Sequence, residues 1–287
     1  MKKPQLEIRK CQSLIQNRDI TILNPDSLIN LFNNEKGLSG NLPEEYAAQD
    51  PITSDVILYN SQRGTRPKDN NPNPDKENFC PICSGSTTGI VDLINLSEGF
   101  TFMNKNLFPI LYPHKPSSGV NQVRGFHILH WTSSIHENNW LNMPSGDLFQ
   151  VMTRAAAVEG YLISNKEILF PKKREGYVSI IKNYGRKVGG SLEHDHQQIG
   201  FSNIMPRRVK DNLNFLAGNK KNFSEYLQAN NPQKLVIKDY DTAVLVVPYF
   251  MQRPLNMTLV LKNPDKNYLS IVPEHFRITD SHRQVLP

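Results

Sequence analysis

Two of the three cysteines in this chain are separated by only two residues, in the segment Cys80-Pro-Ile-Cys83. In a chain without an export signal, this spacing is typical of a zinc site and not of a disulfide. The pair supplies only half of the ligands of tetrahedral zinc, and the sequence contains no second Cys-x-x-Cys. Histidines from elsewhere must complete such a site, so the fold has to bring distant segments to the cysteines. The alternative interpretation is a pair of reduced, buried cysteines.

The composition indicates an ordered, loop-rich α+β protein. The chain has 287 residues, of which 38% are apolar and 21% charged, with 20 prolines and 16 glycines. No apolar run follows the basic N-terminus, and nowhere do about 18 apolar residues run together. We therefore expect a cytoplasmic protein that has no membrane partner.

The formal net charge of +6 and the pI near 9.1 favour anionic partners, such as phosphorylated metabolites. The basic residues are scattered apart from two short runs, Lys172-Lys173-Arg174 and Arg207-Arg208. Runs of this length are typical of solvated turns and not of a nucleic-acid footprint. We therefore expect no specific nucleic-acid partner.

Local patterns predict a mixed succession of helices and strands. Apolar residues at spacings of three and four predict a helix over Ser145–Ser164. Strands are predicted at Asp55–Asn60, Gly99–Asn104, Gln122–Trp131 and Tyr177–Asn183, and the last is apolar enough to be largely buried. Further predictions are a helix over Leu213–Leu227 and strands at Ala243–Val247 and Asn256–Lys262. Residues 1–50 show weak periodicity and predict an irregular, partly helical arm.

The segment Gly-Gly-Ser-Leu-Glu-His-Asp-His-Gln-Gln carries the strongest chemical signal. In an extended strand His194, His196 and Gln198 share one face, whereas Asp195 points the other way. The preceding Gly190 and its neighbours allow backbone N–H groups to approach phosphate, and a neutral imidazole can attack phosphorus. The alternative interpretation is a pair of surface histidines near a turn.

Two arginines follow the first predicted strand. Arg63 and Arg66 flank Gly-Thr and precede Pro67, so two guanidinium groups three residues apart lie on a constrained turn. Such a pair could clamp a diphosphate. The alternative is that both arginines are ordinary surface residues.

Taken in order, these segments resemble the galactose-1-phosphate uridylyltransferase family, a transferase branch of the histidine-triad superfamily. The resemblance covers roughly residues 50–265. The matching segments are Asp50-Pro-Ile-Thr53, Arg63-x-x-Arg66-Pro67, Cys80-Pro-x-Cys83, Asn104-Lys105 with Phe108-Pro109, Gly125 to Ser133-Ser-Ile-His136, Asn183, Gly190-Ser191, His194-x-His196-x-Gln198, and Val246 to Phe250 with Pro254 and Thr258–Leu261. The specificity lies in the ordered set.

The resemblance implies a role for each matching position. It implies one structural zinc per chain, held by Cys80, Cys83, His136 and His194. His127 and His130 lie nearby but do not follow the Ser-x-x-His pattern. The nucleophile would be His196, and Gln198 would hold a phosphate oxygen of the covalent intermediate. The implied substrate-binding residues are Arg63, Arg66, Asn104, Asn183, Gly190 and Ser191.

The resemblance also implies a histidine-triad-like α+β fold, an antiparallel sheet with packed helices. We expect an N-terminal arm over residues 1–50, a zinc-binding catalytic half over 51–215 and a reduced second repeat over 230–287. The chain departs from the family at Asp195, where proline is common, and no His-x-His recurs in its second half. A homodimer is a further expectation.

The expected activity is nucleotidyl transfer between a nucleotide sugar and a sugar phosphate, through a covalent histidyl-nucleotide. One alternative is a phosphorylase or hydrolase that acts on nucleotide sugars or on other nucleoside polyphosphates, such as dinucleoside polyphosphates. It would use the same histidine, with inorganic phosphate or water as the acceptor. A second alternative is a zinc-stabilised module that binds a nucleotide without catalysis.

Overall fold

The computed structural model describes residues 5–65, 80–117, 122–170, 176–183 and 192–262. Within these residues the chain forms two compact units, one ending at Met205 and the other beginning at Pro206. Both units combine helices with antiparallel sheets, so the predicted α+β class is confirmed. Three of the proposed site residues, Arg66, Gly190 and Ser191, lie outside the described residues.

A five-stranded antiparallel sheet forms the centre of the first unit. Its strands are β3 (Ile90–Asn95), β4 (Phe100–Lys105), β5 (Gly125–Trp131), β6 (Tyr177–Ile181) and β7 (His196–Ser202), after a short ribbon of β1 (Ala48–Gln49) and β2 (Val56–Ile57). The order across the sheet is β3-β4-β5-β7-β6. The three central strands β4, β5 and β7 are largely buried, which gives the residues that they carry a fixed geometry.

The described part of the first unit contains four α-helices: α1 (Ile8–Cys11), α2 (Pro25–Asn33), α3 (Ser145–Ser164) and α4 (Lys166–Leu169). The bounds of α3 are those predicted from its apolar spacing. The start of α2 is fixed by the Asn24 side chain, which accepts a hydrogen bond from the Ser27 N–H, and by Pro25 in the first turn. The helices α2, α3 and α4 supply apolar side chains to one face of the sheet, whereas Cys11 of α1 packs in the cluster on the other face.

The two faces of the five-stranded sheet have different surroundings. On the helix face, Met103 and Ile199 pack with Phe32 of α2 and Val158 of α3. The opposite face is called here the site face. Two rows of residues paired across β4, β5 and β7 lie on it: Phe102, Trp131 and His196 in one row, and Asn104, Leu129 and Gln198 in the next. The Phe102 end of the site face is covered by the N-terminal segment and the cysteine turn, through residues such as Leu6 and Ile82.

The N-terminal residues are partly helical, as expected, and they contribute to both cores. Leu28 of α2 is fully buried on the helix face, and Leu6 is buried near the cysteine turn. The buried cations Arg154 and Lys105 are paired with carboxylates. Arg154 of α3 binds Asp92 of β3 through Nε at 2.8 Å, and Lys105 binds Glu35 at 2.9 Å. Pairing offsets the cost of removing these charges from water.

Several predicted strands are shorter in the structure, such as Asp55–Asn60, of which only Val56–Ile57 is a strand. Two other predictions differ in burial or in the number of elements. Strand β6 was expected to be largely buried, but it lies at the sheet edge, and Ile181 is 53% exposed. The predicted helix Leu213–Leu227 is instead two helices, α5 (Arg207–Asn219) and α6 (Phe223–Asn230). The break follows from Lys220, which has a left-handed φ of 57°, and from the capping box that starts α6.

The second unit contains these two helices and a three-stranded antiparallel sheet. Its strands are β8 (Val236–Asp239), β9 (Ala243–Val246) and β10 (Thr258–Leu261), in the order β10-β9-β8. Both β9 and β10 fall where the apolar pattern predicted strands. Leu227, Val246 and Val260 form its small core. Among the described helices of the whole chain, none has the length and apolar character needed to cross a bilayer.

Candidate functional site

Four potential metal ligands meet at the N-terminal end of β7. Cys80 and Cys83 lie in one turn, His136 follows β5, and His194 lies two residues before the first residue of β7. The ligand atoms of the four side chains all lie within 4.8 Å of one another. The four residues implied by the resemblance are therefore brought together. This is the only such cluster of His, Cys, Asp or Glu found among the described residues.

The distances within this cluster fit a tetrahedral metal site. His194 Nδ1 lies 3.6 Å from Cys80 Sγ and 3.5 Å from Cys83 Sγ, and His136 Nδ1 lies 3.7 Å from Cys83 Sγ. A tetrahedral zinc with ordinary bond lengths separates its sulfur and nitrogen ligands by about 3.5 Å. These three separations match that value, so the donor set can hold a metal ion.

A hydrogen bond fixes which nitrogen His194 presents to the cysteines. Its Nε2 lies 2.8 Å from the carbonyl oxygen of Ser133. Because a carbonyl can only accept, Nε2 carries the proton and Nδ1 keeps its lone pair. That lone pair faces the cysteine sulfurs. A backbone atom thus selects the tautomer that a metal ligand needs.

His196 begins β7 on the site face, and its orientation is fixed in the same way. Its Nδ1 donates to the carbonyl oxygen of His194 at 2.9 Å, which leaves Nε2 as the nitrogen with a lone pair. The side chain is only 8% exposed and lies against the Trp131 ring, at 4.8 Å between centroids. Burial lowers the pKa of His196 below its ordinary value. At neutral pH the imidazole is therefore neutral, as a nucleophile requires.

Gln198 follows on the same face of β7 and contacts a second histidine. Its side-chain oxygen lies 2.9 Å from Nε2 of His127, a buried residue of β5. The backbone N–H of Ile110 donates to the other ring nitrogen, Nδ1, at 3.1 Å. A polar chain therefore joins the 106–110 loop to Gln198.

Asp195, which stands where the resembled family has proline, points away from the site face as predicted. It is 3% exposed, forms an ion pair with Lys182, and accepts a hydrogen bond from Thr132 Oγ1 at 2.5 Å. Lys182 itself lies over the Trp140 ring, 4.8 Å from its centroid. The negative charge between the two histidines is thus neutralised next to the site.

Removing this neutralising charge is expected to destabilise the protein. Lys182→Met leaves the buried carboxylate of Asp195 without its cation, which should cost about 3 kcal/mol of unfolding free energy in urea titrations. Lys182→Met combined with Asp195→Asn should recover most of the loss, because the carboxylate charge is then absent as well.

The exposed ion pair of Lys262 and Asp239 supplies a matched control, since its side chains are 35% and 63% exposed. Lys262→Met should cost about 1 kcal/mol or less. Equal effects of the two lysine substitutions would contradict the role given to the buried pair.

No protein-family model matches the chain. The chain is 21% identical over 244 residues to the ADP-glucose phosphorylase of Arabidopsis thaliana, an alignment that covers 77% of this chain and 66% of that protein. A solved uridylyltransferase mutant superposes with a TM-score of 0.60 at 17% identity, over 81% of this chain and 70% of that chain. The fold is that of the uridylyltransferases.

A second uridylyltransferase-like structure agrees. A galt-like protein from Arabidopsis thaliana superposes with a TM-score of 0.54 at 16% identity. The superposition covers 76% of this chain and 68% of that chain. The resemblance to the galactose-1-phosphate uridylyltransferase family is thereby confirmed at the level of the fold. The chain spans about two thirds of the length of the curated relative that it matches.

On this uridylyltransferase fold, two predicted substrate-binding residues already have protein partners. Asn104 is 2% exposed, accepts from the Trp131 indole N–H at 2.7 Å and donates to Thr88 Oγ1 at 2.9 Å. Arg63 donates from Nη1 to the carbonyl oxygen of Phe108 at 2.6 Å. The hydrogen bonds of Asn104 hold side chains on the site face, and the hydrogen bond of Arg63 holds the adjacent loop at Phe108. Substrate contact by either side chain stays a prediction.

Asn183, by contrast, is exposed and lies two residues after the last residue of β6. It precedes the glycine-containing segment 185–190, which lies outside the described residues. Its position is compatible with a ligand contact, which stays a prediction as well.

His130 is a histidine of the opposite face and has an ordinary structural role. It is fully buried, accepts from the Gln197 amide at 2.8 Å and lies 2.9 Å from Thr101 Oγ1. Burial lowers its pKa to about 3, so it is neutral at all ordinary pH values. Neither His130 nor His127 belongs to the metal cluster.

Sequence reasoning missed His127, Lys182 and Thr132 as parts of the site. A signal for His127 is present, because His127, Leu129 and Trp131 alternate along β5 and share a face. Lys182 and Thr132 give no comparable signal. Their proximity to Asp195 depends on the pairing of β5, β6 and β7.

Proposed function

We propose that this chain transfers a nucleotidyl group from a nucleotide sugar to a phosphate acceptor through a covalent intermediate on His196. The observation that carries the proposal is the state of the His196 ring. Its Nδ1 proton is held by the His194 carbonyl, which leaves Nε2 as the lone-pair nitrogen of a neutral imidazole. A neutral imidazole held in one orientation is suited to attack phosphorus.

The reaction proposed is a double displacement. Nε2 of His196 attacks the α-phosphorus of the nucleotide sugar, and an N–P bond forms as the bond to the bridging oxygen breaks. The sugar 1-phosphate leaves with that oxygen. A phosphate oxygen of the acceptor then attacks the same phosphorus, and the N–P bond breaks.

No proton has to leave His196 in either step. The imidazole becomes positively charged when the N–P bond forms, while Nδ1 keeps its proton. The carbonyl oxygen of His194, 2.9 Å away, stabilises that charge. Gln198, on the same face, would donate an amide hydrogen bond to a phosphate oxygen.

We also propose that the cluster of Cys80, Cys83, His136 and His194 binds one structural zinc per chain. Two thiolates and two imidazoles at these separations match the ligands that zinc prefers. All four positions are taken by protein ligands, which is typical of structural and not catalytic zinc. The metal would supply a cross-link between the cysteine turn and the start of β7.

The acceptor separates two versions of the proposal. A sugar phosphate acceptor gives a uridylyltransferase-like enzyme, which the fold shared with the solved uridylyltransferase mutant favours. Inorganic phosphate as the acceptor gives a nucleotide-sugar phosphorylase, which is favoured by the name of the curated relative, ADP-glucose phosphorylase. Both versions use His196 and share the first half-reaction, so the covalent step is common to them.

An acceptor comparison tests the function. Purified protein is incubated with UDP- and ADP-sugars and with a sugar 1-phosphate, inorganic phosphate or buffer alone. We expect rapid release of sugar phosphate with one of the two phosphate acceptors and slow release in buffer.

Labelled sugar 1-phosphate should also exchange into its parent nucleotide sugar without any second acceptor, because the first half-reaction is reversible. Release in buffer as fast as with acceptors would indicate a hydrolase. Nucleotide binding without release or exchange, across the whole panel, would indicate a non-catalytic binding module.

A further inference from the structure

The hydrogen bonds around His127 determine which of its nitrogens carries the proton. The backbone N–H of Ile110 points at Nδ1 from 3.1 Å, and a backbone N–H can only donate. Nδ1 is therefore the acceptor, and the proton of the neutral ring must be on Nε2. His127 is 2% exposed, so water does not compete for either nitrogen.

The same reasoning then fixes the amide of Gln198. Its Oε1 lies 2.9 Å from Nε2 of His127, and because Nε2 is a donor, the group that faces it must be the amide oxygen. Asn106 Nδ2 also lies near this nitrogen, at 3.2 Å. The amide nitrogen of Asn106 cannot accept a hydrogen bond, and the Asn106 oxygen already accepts from the Phe108 N–H at 2.9 Å, so the acceptor is Gln198.

Once the oxygen of Gln198 is committed to His127, its NH₂ group is left for other partners. The hydrogen bonds among the described residues give this amino group no protein acceptor, and the side chain is only partly buried. Gln198 lies two residues after His196, on the same face of β7. The free donor is therefore presented on the face that carries the nucleophile.

We infer that His127 is the positioning residue for Gln198: it holds the amide in the orientation that offers two N–H donors to a phosphate. This inference deepens the proposed function and rests on it, because the phosphate is that of the proposed reaction. If the amide were reversed, its oxygen would face the phosphate and repel it. His127 prevents the reversal because its Nε2 proton cannot pair with an NH₂ group.

The prediction that follows concerns two variants of His127. His127→Phe keeps a ring but removes the proton, so Gln198 can present either end of its amide. We expect nucleotidylation of His196 to slow by about 10- to 150-fold, the effect of losing one hydrogen bond to a charged group. His127→Gln can restore a donor to Gln198 and should recover part of that loss. KM should change less than the rate of adduct formation.

A double substitution separates positioning from general disturbance of the site. Gln198→Ala alone should slow the reaction as much as His127→Phe or more. In the Gln198→Ala background, His127→Phe should add less than about a 2-fold effect, because the side chain that it positions is already gone. Losses that multiply in the double variant would overturn the inference.

A spectroscopic test does not depend on activity. The protein is labelled with ¹⁵N-histidine, and the ring signals of His127 are assigned by comparison with His127→Gln. We expect the Nε2–H tautomer in the protein without ligand. An Nδ1–H tautomer or a charged ring would overturn the positioning role, whatever the enzyme does. If the tautomer and the non-additive rates are as expected, the inference stands.

The two proposals can fail separately. If the wild-type protein forms no adduct with any donor, the proposed function fails, and the role of Gln198 in it fails with it. The tautomer measurement would still show whether His127 fixes the amide. If the adduct forms but His127→Phe reacts at the wild-type rate, the positioning role fails and the proposed function is retained.

Discussion

Replacing His196 with alanine is expected to abolish turnover while the protein stays folded. The side chain supplies the nucleophile, so its loss removes the covalent route and not only one contact. Removal of a nucleophile typically lowers the rate by a factor on the order of 10⁴ or more. Nucleotide affinity should change much less, since phosphate contacts from the rest of the site persist. Steady-state rates and titration with a non-reacting nucleotide measure the two effects.

The control for this substitution is His114→Ala. His114 and His196 are each 8% exposed, so removing either imidazole disturbs a similarly buried position. His114 does not belong to the site face, because it precedes β5, lies 3.6 Å from Glu45 and packs against the Tyr112 ring. We expect comparable losses of stability in the two variants but a loss of turnover only in His196→Ala. Equal turnover in the two variants would refute the mechanism.

The wild-type protein should also gain mass when it reacts with a donor and no acceptor. The nucleotidyl group would be joined to Nε2 of His196 as a phosphoramidate, which is labile in acid. Intact mass measured without acid should therefore show one nucleotidyl group per chain. The adduct should disappear on addition of acceptor and should never form in His196→Ala.

The second large effect is expected from the metal cluster. Cys80→Ser should abolish binding of the proposed zinc and with it most of the stability of the first unit. A structural zinc contributes roughly 10 kcal/mol or more of binding free energy, which is comparable to the whole stability of an ordinary domain. Metal analysis should give one zinc per wild-type chain and none in the variant, and thermal unfolding should move to far lower temperature.

Cys11 supplies the matched control for this experiment. It is a fully buried cysteine outside the cluster, with its thiol 3.3 Å from the carbonyl oxygen of Ile8. Cys11→Ala should keep the zinc and lose only the stability expected for a small cavity, about 1 kcal/mol. Stoichiometric zinc in Cys80→Ser would show that Cys80 is not a zinc ligand.

Much of the fold could be predicted from local patterns. The apolar spacing of Ser145–Ser164 gave the bounds of α3, and the alternation around His196 predicted that Asp195 points away from the site face. Such periodic features depend on neighbours close in the chain. The edge position of β6 could not be predicted, because the apolar residues of an edge strand and of a central strand look alike.

The contacts between residues of the site could not be predicted from the sequence, for a related reason. Lys182, just after β6, and Asp195, just before β7, are 13 residues apart and form an ion pair. Thr132, just after β5, reaches Asp195 across 63 positions. His127 and Gln198 are separated by 71 positions. Such contacts are created by strand register. A single sequence shows which side chains are present, but not which residues pair with each other across the sheet.

The separation of the metal ligands along the chain has a consequence for how the protein folds. His136 and His194 lie 53 and 111 positions beyond Cys83. In the unfolded chain, closing loops of this length costs entropy before any ligand pair is formed. The two cysteines can hold a metal ion early, but the two histidines reach it only when β5 has paired with β7. Metal capture would then be completed last and would lock a register that the strands have already found.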